Sequence, residues 1–153
     1  MFYNKDGFSN IMARVVNPNE PGKTRSLLMK SLAAAVRELS GMEGGGEERR
    51  DIGVFVVLTL AAIKRTVEGT VSAWEKRDYW VKADRFRQEW GWVDRSLDQI
   101  SQIVQEERWD DLDDPADEIR GRTDEISVSK KLASARPWKG SWLAMKENRE
   151  SLR

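Results

Sequence analysis

The side chains able to do chemistry gather in three stretches of this 153-residue chain: Pro21-Gly22-Lys23-Thr24, the aromatic and basic run from Trp74 to Trp92, and the acidic block from Glu106 to Glu118. Each points to a particular ligand, and each departs from the pattern that ligand requires.

Gly22-Lys23-Thr24 has the closing residues of a phosphate-binding loop, in which glycine amides wrap the phosphates and lysine reaches them. The loop's first glycine falls at position 17, which is Asn17, and Pro18 and Pro21 remove two of the amides needed for the cradle. The rest of the chain offers no parallel sheet to hold such a loop. The stretch reads instead as a turn followed by a helix, with Thr24 or Ser26 accepting from first-turn amides.

In the acidic block, Glu106, Glu107, Asp110, Asp111, Asp113, Asp114, Asp117 and Glu118 supply carboxylates of the kind that hold magnesium or calcium. A calcium loop needs a glycine at its sixth position, and Asp111-Leu-Asp113-Asp114-Pro115 has no such glycine and carries a proline. Glu107-Arg-Trp-Asp110 is half of the paired carboxylate motif that all-helical pyrophosphohydrolases use, but no Glu-x-x-Glu partner precedes it. A magnesium-dependent enzyme acting on a phosphorylated small molecule through Glu106, Glu107, Asp110 and Asp111 is therefore the weakest of three readings. The block is expected to be an acidic linker, with no metal or cofactor assigned.

The chain has no histidine and no cysteine. That removes the usual general base near neutral pH, the commonest transition-metal ligand, thiolate chemistry and disulfides. No serine or threonine has a histidine to activate it, so no catalytic residue is assigned. Missing cysteine also fits a reducing, cytoplasmic setting.

In the aromatic run, rings alternate with Lys76, Arg77, Lys82, Arg85 and Arg87, a combination that lets bases stack while cations meet phosphates. These five are the candidate contacts if the chain is a nucleic-acid-binding subunit of a ribonucleoprotein. Glu75, Asp78, Asp84 and Glu89 offset much of that charge, and the whole chain is neutral, with 26 basic and 26 acidic side chains. Trp74, Phe86 and Trp90 fall on expected core stripes. Trp80 and Trp92 fit a core less readily; with the tail pair Trp138 and Trp142, whose short helix is expected to dock its aromatic side on the bundle, they are the candidate anchors for a protein partner.

The elements that position these residues follow from apolar spacing. Leu28, Leu32, Ala35, Val36 and Leu39 predict a first helix over residues 24–40, ended by Gly41. Ile52, Val56, Leu60, Ile63, Val67 and Trp74 predict a second over 51–76, capped by Asp51 and buried nearly all round in its first half. Gly53 and Gly69 within it mark close helix approach. Tyr79, Ala83, Phe86, Trp90, Val93, Leu97, Ile100 and Val104 step by four and three, which predicts a third helix over 78–107, capped by Asp78 and folded back at Arg77–Asp78. Asp114-Pro115 predicts a short helix start, and Trp138, Trp142, Leu143 and Met145 a final one. Residues 1–10 read as loose, with Phe2, Tyr3 and Phe8 free to dock, and 11–16 have strand character.

The expected fold is all-α: a bundle of three main helices with a long antiparallel helical hairpin over residues 1–112, and a partly flexible extension with short helices over 113–153. The longest apolar run, residues 52–63, is shorter than the ~20 residues a spanning helix needs, so no membrane is expected. The leading functional reading is a non-catalytic interaction or scaffold protein, either a homo-oligomer or a small subunit of a larger assembly.

Overall fold

The computed structural model describes residues 20–44 and 46–151, and every regular element among them is helical. Ile11–Val16, Phe2, Tyr3 and Phe8 lie outside the described residues. Helix α1 is Pro21–Ser40, α2 Glu47–Lys76, α3 Trp80–Glu89 and α4 Gly91–Gln105. A 3-10 turn at Trp109–Leu112 leads into α5 (Asp113–Arg122), then α6 (Lys130–Ala135) and α7 (Ser141–Ser151). No described helix is long and apolar enough to cross a membrane.

Helix α2 occupies the middle. Residues 51–60 are all buried, and α1, α3, α4, α7 and the 3-10 turn all pack on this helix, α3 at its C-terminal end. The chain after α2 meets it in reverse order: Arg87 pairs with Glu75, Lys64 with Asp94, and Leu112 lies against Gly53. A Cβ on Gly53 would sit 3.0 Å from Leu112 Cδ1 and 3.3 Å from the Trp109 ring, so close approach does explain that glycine. Gly69 has nothing within 4 Å of the same position, and close approach does not explain it.

The reversal at residues 77–78 comes from a Schellman motif. Tyr79 N–H donates to Trp74 O at 2.9 Å and Asp78 N–H to Glu75 O at 3.0 Å, with Asp78 itself at φ 62°. Asp78 therefore closes α2 rather than capping the next helix. The expected third helix is in fact two. Trp90, at φ −100° and ψ 8°, ends α3 and begins α4. The apolar stripe runs through the break undisturbed, because Trp90 N–H still reaches Phe86 O and Val93 N–H reaches Trp90 O.

Two expected caps also act elsewhere. Helix α1 starts at Pro21, so Thr24 is a buried first-turn residue. Helix α2 starts at Glu47, which puts Asp51 inside it, where its carboxylate accepts N–H groups of Gly140 and Trp142. Beyond residue 112 the described chain joins the core of the earlier helices: Ile119, Trp138 and Met145 are buried with Leu32, Phe55 and Ile63 in a single cluster. Arg49, 3% exposed, ties α2 to this part through Asp113 Oδ2 at 2.7 Å and Trp109 O at 2.9 Å.

Candidate functional site

The end of the molecule where α2 turns into α3 carries three consecutive apolar side chains that the described residues leave at least half exposed. Tyr79, Trp80 and Val81 are 52%, 54% and 67% exposed. Their exposure follows from local geometry, since three adjacent residues at a helix start cannot share one face. Helix α3 turns Ala83 into the core and leaves this apolar triplet outside.

Behind the triplet is a chain of rings. Trp74 meets Phe86 edge-on at 5.0 Å, Phe86 meets Trp90 at 6.1 Å, and Trp90 stacks on Trp92 at 6.1 Å. Cations stand over three of these rings. Lys82 Nζ lies 4.4 Å from the Trp74 ring centre, Arg25 4.7 Å from Phe86, and Arg122 5.3 Å from Trp92. Burial among these groups lowers the Arg25 pKa, with Glu89 opposing. An open groove of about 910 Å³ runs along Trp74, Tyr79, Val81, Arg85 and Phe86.

The five candidate nucleic-acid contacts are thus unequal. Lys82 is engaged with Trp74, and Arg87 is held by Glu75 and by Asp84 at 2.7 Å. Lys76, Arg77 and Arg85 are exposed and make no ion pair among the described residues, but Asp78, Asp84 and Glu89 share their surface. The turn end offers rings and mixed charge, not a basic track.

The four candidate partner anchors divide as well. Trp80 is exposed. Trp92 and Trp138, 6% and 1% exposed, are core residues and cannot anchor a partner in this conformation. Trp138 packs edge-on to Phe55 at 6.3 Å, and its Nε1 donates to Glu48. Trp142 is half-buried between Arg50 and Lys146, at the opposite end of α2 from Trp80. Tyr79, expected at the head of the apolar stripe, is exposed instead, and Val81 belongs to no stripe; the run Tyr-Trp-Val across a helix start is the signal in the sequence.

The acidic block forms no carboxylate cluster. Arg108 stands among its members and bonds Glu106 and Asp111, each at 2.6 Å. The Arg108 bond pulls the Glu106 pKa down, and both carboxylates raise that of Arg108. Among the described residues no group of three or more His, Cys, Asp or Glu side chains is placed to hold a metal ion.

No protein-family model, curated protein or solved structure matches this chain.

Proposed function

We propose that this chain is a non-catalytic helical interaction protein that associates with a second copy of itself through Tyr79, Trp80 and Val81. The exposure of these three adjacent apolar side chains carries the reading, because large apolar side chains left exposed together at one turn mark an interaction site. The charge around them favours a like partner. Lys76, Arg77, Lys82, Arg85 and Arg87 alternate with Glu75, Asp78, Asp84 and Glu89, so two copies meeting about a two-fold axis face both signs on each side. In this reading the fold is a bundle around α2, with α2 and the α3–α4 segment forming an antiparallel hairpin whose turn is the docking end. The protein works in the cytoplasm, where an absence of cysteine is unremarkable.

Multi-angle light scattering over a range of concentrations tests the proposal: it predicts a mass that rises toward twice the chain's 17.6 kDa. A constant single-chain mass at every concentration contradicts self-association. The second reading, a nucleic-acid-binding subunit, draws on exposed Lys76, Arg77 and Arg85 beside Trp80. It predicts retention on a polyanion column that fades steeply with salt.

A further inference from the structure

A second, smaller cleft lies beside Trp80, between the C-terminal half of α2 and the α3–α4 junction. Its volume is about 520 Å³, within the range of small-molecule sites. Lys64, Glu68, Ser72 and Lys76 line it at four-residue steps. They make one wall along α2, about 18 Å long at the helical rise. Trp80, Trp90 and Val93 face that wall, and Val67 and Val71 lie between its polar members. The space has valines and indoles along one side, polar groups along the α2 wall and charges at both ends.

The two ends differ in sign. At one, Lys64 Nζ bonds Asp94 at 2.9 Å and also feels Glu68 and Asp98, so one cation meets three carboxylates. At the other, Arg87 is satisfied by Glu75 and Asp84, while Lys76 is exposed and has no ion pair among the described residues. An acid group entering the cleft is repelled from the Lys64 end and attracted to Lys76. An apolar chain attached to it then lies along the valines and indoles, where its burial is favourable.

We infer that this cleft binds a small, free amphiphile with an apolar chain and one carboxylate, its acid group at Lys76 and its chain running toward Val93. This goes beyond self-association at Tyr79–Val81 and does not depend on it.

Titration calorimetry of the full chain with dodecanoate, below its micelle concentration, tests the inference, with dodecyltrimethylammonium as the charge-reversed control. The expected result is saturable binding of one dodecanoate and weaker binding of the ammonium. Lys76→Glu, at an exposed position, should weaken dodecanoate roughly tenfold, the sum of a lost attraction and a new repulsion. Ser72→Trp, also exposed, should fill the cleft and abolish binding; melting by circular dichroism checks that both variants fold. Should Ser72→Trp unfold, Lys76→Glu still decides. No saturable heat with dodecanoate, equal affinity for the ammonium, or binding unchanged in a folded variant overturns it. Light scattering reports on the dimer separately, so failure of either idea is visible without the other.

Discussion

The carboxylate of Asp51, inside α2, accepts the backbone N–H of Trp142 at 2.9 Å, 91 residues further along the chain. Its other oxygen accepts from Gly140 at 3.0 Å. The first amides of a helix have no partner within it, and here the central helix supplies the missing acceptor for the last. The contact explains how a C-terminal helix with few apolar residues is held in register on α2.

Asp51→Ala should leave both N–H groups without an acceptor and cost about 1–3 kcal/mol in urea unfolding. Asp51→Asn keeps one of the two acceptors and should cost less. Equal stability of the two variants would show that the cap contributes little.

The same residue predicts a pH dependence. Burial raises the Asp51 pKa above its ordinary 3.8, with the Gly140 and Trp142 donors opposing and Glu47 and Glu48 adding to the rise. The folded protein therefore holds this proton more tightly than the unfolded chain, and the Asp51 contribution to stability falls as pH rises through the raised value. Asn carries no such proton. Melting temperatures taken from about pH 4 upward should show wild type losing ground to Asp51→Asn; a gap that is flat, or that moves the other way, refutes the assignment.

The two glycines of α2 should respond oppositely to alanine. Gly69→Ala meets open space and should stabilise by about 0.5–1 kcal/mol through helix propensity alone. Gly53→Ala gains the same propensity but forces a methyl against buried Leu112 and the Trp109 ring. Overpacking costs about 1–3 kcal/mol, so the net change should be a loss near 1 kcal/mol. Chemical denaturation of the pair reads the contrast directly.

Asp78 sits at the left-handed position of the Schellman motif, where a Cβ is disfavoured. Asp78→Gly should raise stability by about 0.5–1 kcal/mol, net of the extra freedom glycine has in the unfolded chain. A melting point unchanged or lowered would mean that the Asp78 side chain contributes something its geometry does not show.

Apolar spacing made the helical character of the chain and the end of α2 near Arg77–Asp78 legible, since a stripe that long is the signature of a buried helix. The break at Trp90 was not legible. One residue in a near-helical conformation interrupts the hydrogen bonding while keeping the stripe in phase, so periodicity cannot register it. Asp51 matched the pattern of a local cap, and nothing in its neighbours shows that the groups it caps lie near residue 140. Trp92 lies off the apolar stripe, so its spacing does not show its burial, which Arg122, 30 residues further on, helps to complete; the docking of Trp138 is legible, but not its partners Phe55 and Glu48. Of the site, Trp80 and the mixed charges beside it could be read from the chain. The flanking exposure of Tyr79 and Val81 required the turn geometry.

Self-association through the α2–α3 end is tested most directly by sedimentation equilibrium of wild type beside Trp80→Ala. The indole is half in water, so its removal should change the melting point little, by about 0.5 kcal/mol or less in stability. Wild type should sediment as a reversible dimer and Trp80→Ala as a folded single chain. A wild type that stays monomeric at the highest concentration, or a Trp80→Ala variant that dimerises as tightly, contradicts the account.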